Sequence, residues 1–262
     1  MNKILVLNKA SLEEINIVHP YFSKIIVINK LLLPYKEREY KLKDVKAEIV
    51  KIPDGLENIK LNIAIKRFGK ESIVLSKDLG INIDSNFIIS CLIRALDIFT
   101  IKHGCDLRLN EVLIADAENI LGKICFRYLL NFARRIILLA DKRENLIKDM
   151  EFALKNYGIS VAVIEDPIKA ASLCQAMIIT DKRYEILIDP KKPTLLLNKT
   201  ICHNGLCFDD VDITLDEKNF YDSILAQGFL EMKGYERIWK NAEEEGFKIS
   251  KFKLQNNLIM EI

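Results

Sequence analysis

The sequence lacks several features that mark large classes of proteins. Its 39 lysines and arginines balance 37 aspartates and glutamates, leaving a formal net charge of +2. This balance argues against a nucleic-acid binder, which usually carries a clustered basic excess. The longest apolar stretch, Phe87–Ile101, contains Arg94 and Asp97 and is shorter than the ~20 residues of a membrane helix. The start, MNKILVLNKA, has no small-residue cleavage site. We therefore expect a cytoplasmic protein without a nucleic-acid or membrane partner.

Cysteine and histidine are sparse and scattered. Four of the six cysteines lie inside apolar runs, where cysteine behaves as a small hydrophobe, and this usage is typical of a reducing compartment. Cys202, His203 and Cys207 are clustered, but a zinc site needs four ligands at characteristic spacing. The sequence therefore predicts no metal site. His103, near the expected cleft between two lobes, is a candidate acid–base group without an assigned partner.

The first third of the chain alternates short apolar runs with helical stretches. Strands separated by helices indicate βαβ units and a mostly parallel sheet. The predicted strands are Lys3–Leu7, Ile25–Ile28, Ala47–Ile52 and Ser72–Leu75, with helices from Ser11 to His19 and from Glu57 to Arg67. Residues 1–83 are thus expected to form an N-terminal α/β lobe, followed by a connector helix within residues 84–109.

The middle of the chain has the clearest pattern. Its predicted strands are Glu111–Ala115, Ile136–Ala140, Ile159–Ile164 and Met177–Thr180, and its helices are Gly122–Arg134, Arg143–Tyr157 and Pro167–Gln175. This order is the doubly wound plan. Beyond it we predict strands at Ile186–Ile188 and Thr194–Leu197, helices from Glu217 to Glu245 broken near Gly234, and a last strand, KISKFKL.

The fold class that follows is α/β, with an N-terminal α/β lobe, a connecting helix and a Rossmann-like doubly wound parallel sheet. The Rossmann-like domain is expected to span residues 110–245. Residues 246–262 are expected to form a C-terminal strand and tail.

The loop after the first middle strand is poor in glycine. A Rossmann loop uses glycines because its backbone turns tightly and approaches a pyrophosphate closely. In a G-x-G-x-x-G register the three glycine places hold Ala117, Asn119 and Gly122. In a G-x-x-G-x-x-G register they hold Asp116, Asn119 and Gly122. Asn tolerates a left-handed backbone better than most residues, so we expect the turn itself to be preserved around Asn119.

Two carboxylates stand where phosphate oxygens would lie. Asp116 and Glu118 would each oppose an anion a few ångströms away by roughly 1–4 kcal/mol at a surface-like dielectric. The same carboxylates could instead cap the helix that follows. The glycine loop is therefore degenerate, and its acids either fill the anion site or weaken it.

Asp141 is the second feature of the predicted cofactor site. It ends the second strand, 19 residues after Gly122 (141 − 122), where an acid commonly binds the ribose 2′-hydroxyl of NAD. Lys142 and Arg143 follow and would suit the extra phosphate of NADP. The alternative is that Asp141 caps the next helix. The predicted site for NAD or NADP comprises Asp116, Ala117, Asn119, Gly122 and Asp141.

The layout resembles that of shikimate dehydrogenases and glutamyl-tRNA reductases over about residues 84–250. These proteins join a compact α/β lobe through a long helix to a Rossmann lobe, and a C-terminal helix folds back. The segment ILAQGFLEMKGYERIWKNAEEEGFKI is similar to the end of long-chain acyl carrier protein reductases. The resemblance implies NAD(P) binding and oxidoreductase chemistry. It assigns no catalytic residue, because the Lys–Asp pair and the nucleophilic cysteine of these families have no match.

Two functions follow from these observations. The degenerate loop favours a non-catalytic or remodelled protein that binds a nucleotide or metabolite. The alternative is an NAD(P)-dependent oxidoreductase of the two-lobed dehydrogenase and reductase type. A small molecule or a dinucleotide is the expected partner in both cases. Enzymatic activity and assembly into a homo-oligomer are left open by the sequence.

Overall fold

A computed structural model describes residues 3–10, 33–53, 57–69, 72–76, 84–197, 205–215, 221–255 and 257–262. The chain divides into two compact units. One unit combines Met1–Ser85 with Tyr221–Phe247, and the other combines Asn86–Phe220 with Lys248–Ile262. The predicted helix from Ser11 to His19 and the predicted strand Ile25–Ile28 lie outside the described residues.

The first unit contains a four-stranded sheet and a helix that covers it. The strands are β1 (Lys3–Lys9), β2 (Tyr35–Leu42), β3 (Val45–Ile52) and β4 (Ser72–Leu75), and α1 is Glu57–Phe68. Their order in the sheet is β2-β3-β1-β4. β1 runs parallel to both β3 and β4, whereas β2 is antiparallel to β3. α1 packs its apolar side chains on this sheet around the buried Leu5, Leu7 and Val50.

Strand β2 was not predicted from the sequence. Its residues, YKEREYKL, are mostly charged and mostly exposed, so they show no alternation of apolar and polar side chains. An edge strand can carry such a sequence because its partner supplies the backbone hydrogen bonds, and charges protect the edge from further pairing. Leu42 pairs with Val45 across a two-residue turn in which Lys43 has a φ of 53°.

The second unit is built on a six-stranded parallel sheet. The strands are β5 (Glu111–Ala115), β6 (Arg135–Leu139), β7 (Val161–Ile164), β8 (Ala176–Ile179), β9 (Thr194–Leu196) and β10 (Cys207–Phe208). Their order is β7-β6-β5-β8-β9-β10, and every adjacent pair is parallel. In chain order this is 3-2-1-4-5-6, the doubly wound Rossmann arrangement.

The described residues of this unit form four α-helices. They are α2 (Ser85–Lys102), α3 (Ile120–Leu129), α4 (Ile147–Tyr157) and α5 (Pro167–Leu173). The α/β fold class, with its Rossmann-like sheet and its connecting helix, is thereby confirmed. Among the residues that the structure describes, no helix combines the length and apolarity that crossing a membrane would require.

The predicted strand Ile186–Ile188 is wrong. Residues Lys182–Leu187 form a 3-10 helix instead. Its start is fixed by Asp181, whose carboxylate accepts a hydrogen bond from the backbone N–H of Arg183 at 2.8 Å, so the chain coils directly after β8. A second 3-10 helix, Arg143–Leu146, precedes α4.

An antiparallel group follows the parallel sheet. Its strands in this unit are β11 (Asp210–Thr214), β13 (Lys248–Leu254) and β14 (Asn257–Glu261). β13 was predicted and pairs with β11 and β14, which were not. The rings of Phe99, Phe208 and Phe252 meet with centroids 4.9 to 5.1 Å apart. This aromatic cluster joins α2, β10 and β13 in the core of the second unit.

The segment Tyr221–Phe247 returns to the first unit. It contains β12 (Tyr221–Asp222), α6 (Ser223–Lys233) and α7 (Trp239–Glu244), and Gly234 (φ 73°) separates the two helices as predicted. α6 lies on β1 and β4; a Cβ atom on Gly228 would lie 2.7 Å from Leu75 Cδ1. The sequence had placed these helices in the Rossmann-like domain. They group elsewhere because Ser223–Leu230 are buried on the first sheet.

Candidate functional site

The carboxyl ends of β5, β6 and β8 meet at one edge of the parallel sheet. Asp116 follows β5, Asp141 comes shortly after β6, and Thr180 follows β8. Thr180 is buried, and its hydroxyl donates to the carbonyl oxygen of Ala115 at 2.6 Å. In open α/β sheets, ligands bind at this edge, at the point where the strand order reverses. Here that point lies between β5 and β8.

The turn from β5 into α3 has the backbone of a tight Rossmann loop. Asp116 has a φ of 59°, in the left-handed region. A Cβ atom on Gly122 would lie 2.3 Å from the carbonyl oxygen of Asp116 and 2.8 Å from Ala117 Cα, so only glycine fits at this position. Of the two glycine registers considered, the one that begins at Asp116 matches the left-handed residue of the turn.

Asn119 does not supply the left-handed residue, contrary to expectation. Its φ and ψ are −72° and 165°, and it is the N-cap of α3. Its Oδ1 accepts a hydrogen bond from Gly122 N at 2.6 Å. Its Nδ2 donates to Asp116 Oδ2 and to Thr180 Oγ1, each at 3.0 Å. Asn119 therefore occupies one of the main-chain amides that a helix start offers to an anion.

The charge of Asp116 is balanced by an arginine of the 3-10 helix that follows β8. Its Oδ2 lies 3.0 Å from a terminal nitrogen of Arg183, and Arg183 Nε lies 3.3 Å from Asp181 Oδ1. Asp181 and, to a smaller degree, Asp116 raise the pKa of the Arg183 guanidinium. The loop thus presents a paired carboxylate, and the repulsion expected from Asp116 toward an anion is offset by Arg183.

Glu118 turns away from α3 and reaches the end of β6. Its Oε2 accepts a hydrogen bond from Asp141 N at 2.6 Å, and its Oε1 accepts one from Asn145 Nδ2. The bond from Asn145 lowers the pKa of Glu118, and the main-chain amides of Asp141 and Lys142 add to this effect. Glu118 therefore fills a small set of N–H donors beside β6 and does not cap α3.

Asp141 is exposed at the end of this strand. The alternative in which it caps the next helix is wrong, because the N-cap of the 3-10 helix is Lys142 and no side chain makes a cap hydrogen bond there. Four of the predicted site residues, namely Asp116, Ala117, Asn119 and Gly122, lie in or beside one turn. Asp141 is connected to this turn by the hydrogen bond from its backbone N–H to Glu118. The sequence missed three contributing residues, namely Asn145, Thr180 and Arg183. The sequence already predicted a strand that ends at Thr180–Asp181, and this strand end could have indicated Thr180 and Arg183 as site residues.

The weaker candidates do not join this site. His103 is exposed, and its ring packs edge-on against Phe99 with centroids 4.6 Å apart. Cys207 is buried in β10, whereas Cys202 and His203 lie outside the described residues. Within the described ranges, no three His, Cys, Asp or Glu side chains are grouped so that they could hold a metal ion. Burial raises the pKa of Cys174 to about 11, so this thiol is not a ready nucleophile.

No protein-family model and no curated protein matches the sequence. Several solved structures are similar to it. L-tryptophan dehydrogenase from Nostoc punctiforme is 11% identical with a TM-score of 0.39, and the match covers 94% of this chain and 78% of that one. Shikimate 5-dehydrogenase from Listeria monocytogenes, in complex with shikimate and NAD, is 11% identical with a TM-score of 0.35, covering 76% and 78%.

A dipicolinate synthase polypeptide from Bacillus halodurans is 10% identical, with a TM-score of 0.36 and coverage of 74% of this chain and 81% of that chain. Shikimate dehydrogenases, which the sequence layout resembles, are therefore among the solved structures to which the chain is similar. At identities near 10%, these similarities concern the fold alone.

The arrangement offers two places for an anion at one sheet edge. The first is the start of α3, where Asn119 already holds the amide of Gly122. The second is the end of β6, where Glu118 holds the amide of Asp141. A ligand that used both places would have to displace these two side chains or share their donors.

Proposed function

We propose that the protein binds a nicotinamide dinucleotide at the turn between β5 and α3, and that it is an oxidoreductase of the two-lobed dehydrogenase and reductase type. The observation that carries the proposal is the contact of Gly122 with the turn. The missing Cβ lets α3 begin directly against Asp116 and Ala117. This close approach is what the last glycine of a dinucleotide-binding fingerprint provides.

The surrounding elements support the same ligand. The strand order reverses beside this turn, which is where doubly wound sheets bind dinucleotides. The exposed Asp141 follows the second strand, β6, by two residues, close to the usual position of the acid that binds a ribose hydroxyl. A nicotinamide cofactor would supply the hydride chemistry, and the protein would supply binding and orientation.

The polar side chains of the turn make binding weaker than in a glycine-rich loop. A neutral hydrogen bond contributes about 0.5–1.5 kcal/mol net, and the bond from Gly122 N to Asn119 Oδ1 at the start of α3 is of this kind. A dinucleotide that needs this donor loses that contribution before it gains its own. We therefore expect dissociation constants in the micromolar to millimolar range for the unmodified chain.

The test is a calorimetric titration of the purified protein with NAD, NADH, NADP and NADPH, accompanied by thermal unfolding. A ligand at ~100 times its dissociation constant stabilises a protein by roughly 2.7 kcal/mol. Asp141→Ala should weaken binding about tenfold, the equivalent of one lost hydrogen bond to a ribose. Glu151→Ala is the matched control, since it removes an exposed carboxylate from α4. Binding of none of the four nucleotides at millimolar concentration would refute the proposal.

A second candidate function is a non-catalytic protein that binds another small molecule. The observation in its favour is that Asn119, Glu118 and Arg183 already satisfy donors and charges of the turn. Such a protein would show no heat of binding with any nicotinamide nucleotide. It would also keep its unfolding temperature in their presence.

A further inference from the structure

Glu118 occupies a group of donors that has the composition of an anion site. The main-chain N–H of Asp141 donates to Glu118 Oε2 at 2.6 Å, and the side-chain amide of Asn145 donates to Oε1. The main-chain amide of Lys142 also lowers the pKa of this carboxyl. Main-chain and side-chain amides that converge on one anionic group are the donors that phosphate sites also use.

The position of this group of donors in the fold relates it to the recognition of a ribose. It lies directly after β6, the second strand of the doubly wound sheet. The adenosine ribose of a dinucleotide is recognised at this point, by an acid when the ribose carries a 2′-hydroxyl and by a basic residue when it carries a 2′-phosphate. Lys142 and Arg143 are exposed here and would favour the phosphate, whereas Glu118 and Asp141 would oppose it.

We infer that Glu118 sets the choice between NAD and NADP, because its carboxylate occupies the amides that a 2′-phosphate would need. This inference rests on the proposed function. With Glu118 in place, a 2′-phosphate finds its donors taken and meets a second negative charge within a few ångströms. A 2′-hydroxyl needs only the exposed carboxylate of Asp141. Glu118 is thus a specificity residue supplied by the β5–α3 turn, in addition to Asp141.

The experiment compares NADH and NADPH binding in the wild type, Glu118→Gln and Glu118→Ala. Glu118→Gln keeps the length of the side chain and an acceptor for Asp141 N but removes the charge, and Glu118→Ala frees the amides. We expect the wild type to bind NADH at least about tenfold more tightly than NADPH. Both variants should lower the dissociation constant of NADPH about 10- to 100-fold, as expected for one like charge removed at this range. The constant for NADH should change less than about threefold.

Two controls separate this effect from a general change of charge. Glu144→Gln removes an exposed carboxylate from the adjoining 3-10 helix and should leave the ratio of the two constants unchanged. Replacing Lys142 and Arg143 by Ala in the Glu118→Gln protein should cancel the gain for NADPH. Thermal unfolding confirms that each variant is folded, and Glu118→Gln carries the test if Glu118→Ala does not fold.

The outcomes separate the two ideas. If neither the wild type nor any variant binds a nicotinamide nucleotide, the proposed function fails and this inference fails with it. If NADH binds and the Glu118 variants leave the NADH-to-NADPH ratio unchanged, only this inference is overturned. A wild-type protein that prefers NADPH would overturn it as well.

Discussion

One carboxylate in each of the two units shows a different way of satisfying a negative charge. In the first unit, Glu48 on β3 is almost completely buried and is surrounded by Lys3, Lys36 and Lys46. In the second unit, Glu118 is held by amide donors at the end of a strand. An ion pair between neighbouring strands serves only the sheet. An amide that holds a carboxylate could serve an incoming anion equally well, so the second arrangement is the one compatible with a ligand site.

The largest effect should come from the β5–α3 turn, which contains Glu118. Gly122→Ala places a methyl group 2.3 Å from the carbonyl oxygen of Asp116, so α3 or the turn has to shift. We expect a loss of about 3 kcal/mol or more in the free energy of unfolding, measured by urea denaturation. Gly104→Ala is the control, since a Cβ there has no neighbour within 4 Å. Its cost should be about 1–2 kcal/mol from the positive φ alone. Equal losses for the two variants would show that the turn is not tightly packed.

The next largest effect concerns the ion-paired carboxylate of the first unit. Burial raises the pKa of Glu48, but the three lysines lower it by more than burial raises it. The pKa of Glu48 therefore falls from 4.5 to about 2. A lowered pKa stabilises the folded state above the unfolded value of 4.5, and this contribution is lost as the pH falls toward 2. Allowing for solvent around the lysines, we expect about 2 kcal/mol.

The measurement is the free energy of unfolding between pH 6 and pH 2, a range that includes the ordinary pKa of 4.5 and reaches the lowered pKa of about 2. Glu48→Gln should be less stable at pH 6 and should lose the part of the pH dependence that belongs to this carboxylate. If the wild type and Glu48→Gln had parallel pH profiles, the three lysines would not be acting on Glu48 as the structure indicates.

The smallest effect tests whether the caps of the second unit differ in role. Asn119 caps α3, and Asp166 caps α5 by accepting hydrogen bonds from the backbone N–H groups of Ile168 and Lys169. Replacing either by Ala should cost about 1 kcal/mol of stability. Only Asn119→Ala should also alter NADH binding, because it frees an amide in the turn. A change in NADH affinity of the same size in Asp166→Ala would break the distinction.

The central strands of the second unit were predictable because each is a continuous apolar run. Parallel strands buried on both faces need no alternation of apolar and polar residues. EVLIA and the neighbouring apolar runs are therefore recognisable as strands from the sequence. β2 was missed because its charged residues obey no period, and the Ile186–Ile188 prediction failed because a local cap at Asp181 outweighed three apolar residues.

The predicted site was harder to derive than the fold. The sequence placed Asp116, Asn119 and Gly122 in one turn because the loop follows a recognisable strand. The direction of a side chain is not encoded by spacing, so the contact between Glu118 and the amide of Asp141, and that between Asp116 and Arg183, could not be predicted. These contacts decide whether each acid of the loop repels an anionic ligand, occupies its hydrogen-bond donors or is neutralised by a cation.

The return of Tyr221–Phe247 to the first unit has a consequence for synthesis on the ribosome. β1 and β4 emerge early, but α6, which covers them, is made only after the whole parallel sheet has been translated. The second unit is also completed late, because β11 pairs with β13, which is translated after the returning segment. A nascent chain that stalls at residue 220 would therefore expose unfinished apolar faces in both units. We expect such a chain to be a substrate for chaperones and proteases, although most of its strands have already been made.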